Sequence, residues 1–307
     1  MASQDVAART RGLAKPRGTA LRQQQRYGYL FIAIPLLLFL VFTAIPVVLA
    51  LTMGFTDYSV VGQTQWVGLA NFRRLIRDPF FGIALRNTIV YSLMYVPAAF
   101  LVALGCALIL NLRHAGVVVF RVFFYVPVVA SMVASATMWY WLLDPAHGIF
   151  NTVLSWFGIN GPSWLYSSRW AMTAIVMMSV WAQFGTNMML FLAGLQYIPR
   201  DLYEAAMIDG AGSVRRFWHV TVPGLRRTTF FVLTMLIINA LQVFDQAYVL
   251  TRGGPGNSTI TLVYYIYNAG FGNLKMGYAS AMSFVLAIII LIFSIINNRL
   301  TGREQEW

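Results

Sequence analysis

The chain has 307 residues, 59% of them apolar and 10% charged, whereas a soluble globule is about half apolar and about a quarter charged. So few charges cannot cover a water-facing surface, which excludes a soluble globule as well as disordered, collagen-like and disulfide-rich chains. The net charge of +12 is spread between long apolar runs rather than gathered on one face, so it orients a membrane protein instead of gripping nucleic acid.

Residues 1–26, rich in Arg and Gln without apolar periodicity, read as a flexible basic cytoplasmic tail with affinity for anionic lipid. Residues 27–298 read as an all-α membrane domain, because a ~30 Å hydrocarbon core takes about 20 helical residues. Charge-free runs predict six transmembrane helices at about 27–52, 87–112, 121–143, 170–193, 228–250 and 276–298, the fifth interrupted only by Asp245. The first run is about twice the ~7 to 15 residues of a signal-peptide core and lacks an A-x-A site, so it reads as a retained span. Two further charge-free stretches, 145–168 and 253–274, carry Gly161-Pro162 and Gly253-Gly254-Pro255-Gly256. They read as loops with short interfacial helices, and counting them as spans would give eight. Pro35, Pro46, Pro97 and Pro127 are candidate kinks.

With the N-terminus inside, 15 of the 22 Lys and Arg fall in cytoplasmic segments, Arg113 and Arg121 among them, so both termini are placed in the cytoplasm and 299–307 becomes a short C-terminal tail. Trp139, Tyr140 and Trp141, with Trp164 and Trp170, then read as outer aromatic anchors.

The longest interior inner loop, 197–227, holds three of the ten acids: Asp201, Glu204 and Asp209. Pro199 suits a first helical turn, Asp201 and Glu204 complement its positive end, and Gly210 suits a left-handed stop. Ser213 is placed to cap a second short helix with Val214, Phe217 and Val220 on one face, before Pro223 breaks it. The prediction is a protruding knob of two short helices.

These residues resemble the permease subunits of bacterial ATP-binding-cassette (ABC) importers. Their loop signature, EAA-x3-G-x9-I-x-LP, reads here as Glu204-Ala205-Ala206, Gly210, Val220 and Val222-Pro223, with every spacing kept and Val standing for Ile and Leu. Asp209-Gly210-Ala211, Phe217, Phe244-Asp245 and the stretch from Tyr248 to Pro255 further resemble the carbohydrate-importer branch, the maltose-type and glycerol-3-phosphate-type permeases. The likeness extends over roughly residues 27–300. It implies the type I, MetI-like permease fold, in the bacterial plasma membrane, with coupling through Glu204, Ala205, Ala206, Asp209, Gly210, Ala211, Phe217 and Pro223. It also implies two separate ATP-binding subunits that hold ATP and magnesium, a second permease that is a related but different chain, and an extracytoplasmic substrate-binding protein.

The residues themselves offer no catalytic centre, cofactor site or metal site. Lys15 precedes Pro16 and Lys275 precedes Met276, so there is no P-loop, while Cys106 stands alone and His114, His147 and His219 form no H-E-x-x-H pair.

Polar groups within spans are costly and face a bundle interior or a water-filled path. On a continuous fifth span Asn239, Gln242 and Gln246 fall within about 60° of one another, with Asp245 at the edge, and in span four Gln183 and Asn187 are one turn apart. Amides and a carboxylate among aromatic rings suit sugar hydroxyls. Gln183, Asn187, Asn239, Gln242 and Asp245, walled by Phe244 and Tyr248, are therefore the candidate substrate pathway, although the amides serve equally as bridges between helices. The function expected is a non-enzymatic permease that imports a mono-, di- or oligosaccharide. Glycerol-3-phosphate or a related polyol is the alternative cargo. An ion-coupled secondary transporter is the rival mechanism, for which one intramembrane Asp is a poor supply of ionisable groups.

Overall fold

The computed structural model describes residues 18–60, 64–112 and 116–302; most of the basic tail, Arg113, His114 and residues 303–307 lie outside the described residues. Among those described, one antiparallel bridge between Thr56 and Trp66 is the sole β pairing, and the rest is helix and loop.

The chain forms two units, 1–53 and 54–307. The first contains α1, which runs through Gly18–Phe39, a π-helical turn at Leu40–Ala44, and Ile45–Met53. The wider turn sits just ahead of Pro46, whose ring clashes with an ordinary helical turn behind it, whereas Pro35 leaves the helix unbroken. From Arg26 to Met53 the helix is apolar around its whole circumference, the pattern of a membrane span.

The second unit contains α2 (Ala70–Arg77), α3 (Pro79–Leu110), α4 (Val117–Val129), α5 (Met132–Leu142), α6 (Ile149–Trp156), α7 (Ala171–Tyr197) and α8 (Arg200–Ile208). It continues with α9 (Ser213–Gly224), α10 (Arg226–Leu241), α11 (Asp245–Leu250), α12 (Leu262–Tyr267) and α13 (Met276–Gly302). Among the described residues four helices are long and apolar enough to cross a membrane: Arg26–Met53, α3, α7 and Met276–Asn297. The number is six if α4 with α5, bent by 98°, and α9 with α10, bent by 68°, each count as one span.

Three predicted spans differ in shape from the structure. Arg86 ends the charge-free run, but α3 begins earlier, at Pro79, where the Asp78 carboxylate accepts the Phe80 amide at 2.9 Å. The span predicted at 121–143 folds over at Ala130-Ser131 rather than at Pro127, and Ser131 caps α5 by accepting the Ala134 amide. The span predicted at 228–250 stops at Leu241 and restarts at Asp245, with Phe244 at φ −139°, ψ −64°. That break is held from outside, since the buried Thr261 hydroxyl donates to the Val243 carbonyl at 2.9 Å and replaces a lost helical bond.

The core is the α3–α7 pair. Tyr91, Tyr95, Ala99, Ala103 and Ala107 form a buried stripe along α3, and the three alanines let α7 approach closely. Pro97 is accommodated within α3 without a break. Gly185 marks the crossing of α4 on α7, because a Cβ there would lie 2.5 Å from the Phe124 carbonyl oxygen. A second apolar cluster around Leu75, Phe81, Leu262 and Met282 sits at the other end of α3. There the Asp78 carboxylate accepts hydroxyls of Tyr265 (2.5 Å) and Tyr278 (2.6 Å), which ties α3, α12 and α13 together. Burial pushes the Asp78 carboxyl up, but these hydroxyls and the Phe80 and Phe81 amides outweigh it and hold it below its usual range.

Two expected aromatic anchors are core residues instead. Trp139 is buried between Phe150 and Trp181, and Trp164 is buried with its indole N–H donating to Asn151 at 2.7 Å. Both lie under α6, a layer that charge counting does not register, while Trp141 stays exposed.

Candidate functional site

The break between α10 and α11 generates the first candidate site. Two adjoining cavities of 220 and 350 Å³ share Met132, Gln183 and Asn239. The smaller adds Gln242, Phe244, Asp245 and Gln246, and the larger adds Thr186 and Asn187. Six of the seven residues selected from the sequence therefore converge here; Tyr248 does not line either cavity but stacks on Phe244 at 5.4 Å. Their convergence does not come from a helical stripe. Because the helix is interrupted, Gln246 lies beyond the break and is buried, while Asn239 and Gln242 are exposed on the last turn of α10.

Partners orient the amides. The Tyr95 hydroxyl donates to Gln183 Oε1 at 2.9 Å, and buried Asn187 donates to the Gln183 carbonyl at 3.3 Å. Gln183 and Asn187 occupy the middle of the 27-residue α7, far from either end of a helix about 40 Å long. A half-buried amide such as Gln183 at this depth has no partner in lipid for its free groups, so the open side of the cavity must meet water or another protein.

Sequence reading missed several members. Tyr95 reads as an ordinary apolar position on α3. Tyr264 and Tyr267, inside the 253–274 stretch that reads as a loop with short interfacial helices, join Phe244 and Tyr248 in one cluster with ring centroids 5.0 to 6.2 Å apart. The aromatic spacing around Thr259 to Tyr267 was the available signal, but it does not say which rings turn toward Phe244.

The second candidate site is the knob. α8 ends in a Schellman motif: Gly210 has φ +75°, its amide donates to the Met207 carbonyl at 3.0 Å, and the Ala211 amide donates to Ala206 at 2.8 Å. The Tyr203 and Thr221 hydroxyls are 2.9 Å apart and lock α8 to α9. Glu204 and Ala205 are exposed and Ala206 is half-buried, while Leu202, Met207 and Ile208 expose apolar surface. Asp209 caps the end of α8, Phe217 packs edge-on against Trp218, and Pro223 lines a 730 Å³ groove beside α10.

Details of the second helix differ from expectation. Gly212, not Ser213, occupies the cap position, and Ser213 is the first helical residue. A π-helical turn at Phe217–Thr221 shifts the phase of α9, so Val220 packs against the core while Val214 is left 73% exposed. Pro223 lies inside the last turn of α9, and the 68° bend follows it.

Comparison with known proteins identifies the family and the fold. The chain is 35% identical over 280 residues to the arabinooligosaccharides transport system permease protein AraP of Bacillus subtilis, covering 89% of this chain and 88% of that protein. It is 35% identical over 278 residues to the trehalose/maltose transport system permease protein MalF of Thermococcus litoralis, covering 89% and 93%. Its fold matches a crystal structure of a bacterial alginate ABC transporter in complex with an alginate pentasaccharide-bound periplasmic protein. That match has a TM-score of 0.83 and 23% identity, and covers 92% of this chain and 96% of the other. The family described as binding-protein-dependent transport system inner membrane component matches residues 111–304. The chain belongs to that family, and is an inner-membrane permease subunit of an ABC transporter whose ATPase is a separate chain.

Proposed function

We propose that this permease imports a carbohydrate, with Gln183, Asn187, Asn239, Gln242 and Asp245 lining the path and Phe244 and Tyr248 as aromatic walls. The observation that carries the reading is the convergence of five amides and one carboxylate, Gln246 completing the set, on two adjoining open cavities beside the middle of α7. Amides donate to and accept from sugar hydroxyls, and rings pack on the apolar face of a pyranose. No Lys or Arg lines the two cavities among the described residues, so a neutral sugar fits better than a phosphorylated polyol. The names of AraP and MalF, both oligosaccharide permeases, support the same class.

In this proposal each bent helix pair is one span, giving six, with both termini in the cytoplasm, a reading supported by the excess of Lys and Arg in the segments placed inside. Exposed Asn239 and Gln242 then face a second permease, a related but different chain, which closes the cavity. A substrate-loaded binding protein delivers cargo from outside. The knob, through Glu204, Ala205, Ala206, Asp209, Gly210, Ala211, Phe217 and Pro223, transmits closure of two ATPase subunits that hold ATP and magnesium. Locked by the Tyr203–Thr221 contact, α8 and α9 move as one lever.

The test is uptake of labelled oligosaccharide into vesicles carrying the complex with its binding protein, with ATP or a non-hydrolysable analogue inside. Uptake with ATP alone is expected. Equal uptake with both nucleotides would defeat the mechanism, and uptake of non-carbohydrate cargo alone would defeat the substrate class.

A further inference from the structure

A groove of 1020 Å³ opens where the end of α3, the start of α4 and the end of α7 meet α8 and α9. Arg121, Arg200 and Arg216 converge on it against one acid, Glu204, and among the described residues none of the three is within 4.0 Å of a carboxylate. Arg216 donates through one terminal nitrogen to Ser213 at 3.4 Å, yet its Nε and that of Arg121 are buried with no hydrogen-bond partner among the described residues. A buried guanidinium N–H with nothing to donate to is an unmet demand for an acceptor. The remaining wall is apolar and open, with Leu112 and Val118 well exposed.

We propose that this groove binds an anionic phospholipid, with its phosphate on Arg121 and Arg216 and an acyl chain along Leu112 and Val118. Guanidinium groups match phosphate oxygens in a paired geometry, and the surplus of positive charge favours a net-negative headgroup over a zwitterionic one. Position favours lipid over a soluble anion. The groove lies at the ends of two apolar spans and the start of another, which is headgroup depth, and basic pockets between spans are where anionic headgroups are held. Its assignment to the inner leaflet rests on the topology proposed above, whereas its chemistry does not. Because Arg200 and Glu204 belong to α8, bound lipid would brace the knob against the bundle.

The test is native mass spectrometry of the purified complex with its ATPase subunits, titrated with palmitoyl-oleoyl phosphatidylglycerol or with phosphatidylcholine of the same chains. Retention of phosphatidylglycerol over phosphatidylcholine is expected, falling at least about tenfold in R121Q/R216Q and less in R121K/R216K, which keeps the charge. The lysine pair also serves if the glutamine pair does not assemble, since loss of paired geometry should still weaken retention. Equal retention by native and variant complexes, or no preference between the two lipids, would overturn the proposal. Displacement of the adduct by millimolar inorganic phosphate would show a free-anion site instead. Loss of the ATPase subunits from the variants with lipid retention intact would assign the groove to protein docking. None of these results depends on which cargo is carried.

Discussion

The amide cavity and the α8–α9 knob are built in opposite ways. The knob is local: a proline entry, Asp201 in the first turn, a glycine with φ +75° and a single hydroxyl contact define it within 25 residues of chain. The cavities are assembled from α4, α5, α7, α10 and α11, and exist because α10 breaks where Thr261, outside that helix, takes the Val243 carbonyl. The contrast teaches that the lever tolerates changes in the bundle, while the cavity is sensitive to packing at a distance.

Gly185→Val should break the cavity side hardest. Its side chain would run into the α4 backbone at Phe124, at a cost of about 3 kcal/mol or more from overpacking, and thermal unfolding of the complex would show it. Gly210→Val should act on the knob alone. Forcing a β-branched residue to φ +75° costs roughly 1–2 kcal/mol, so ATPase stimulation by the loaded binding protein should fall about tenfold with little change in unfolding temperature. A matching loss of stability would show that the knob is not independent of the bundle.

Gln242→Ala with Asn187→Ala should reverse that pattern, raising the transport KM about tenfold while basal ATP hydrolysis is unchanged. If affinity and rate are both untouched in assembled complexes, the amides only bridge helices. Thr261→Val removes the bond that holds the break and should cost about 1 kcal/mol, read as a smaller rise in KM. Asp78 sharpens the comparison by its pH dependence. Its folded pKa lies below the unfolded value, so its stabilisation is present above the ordinary carboxylate range and is lost as pH falls through the folded pKa. Asp78→Asn should flatten that acid-side loss without changing coupling, and as a pH-dependent effect on stability alone it is the smallest of the set.

How much was legible follows from the same contrast. Gly210 announced the end of α8 because only a residue without a side chain adopts that conformation freely, and Glu204-Ala205-Ala206 could be placed on one short helix. Gln183 and Asn187 could be paired because α7 is continuous. Gln246 was grouped with Gln242 by a helical angle that the chain does not keep. Val214 was placed on one face with Phe217 and Val220 because a π turn three residues later leaves no mark in composition. Trp139 and Trp164 were misassigned because an aromatic ring suits an interface and a core equally.

The sequence by itself determined that this is a helical membrane protein with a helix-turn-helix knob, because hydrophobic runs, the scarcity of charge and turn chemistry act on neighbouring residues. Tertiary structure alone decided where α10 breaks, how Tyr95 orients Gln183, which tryptophans are buried, and that Arg121 and Arg216 share a groove. Those features depend on groups from distant helices satisfying one another's backbone and side-chain hydrogen bonds within a close-packed bundle, and linear periodicity carries no record of such pairings.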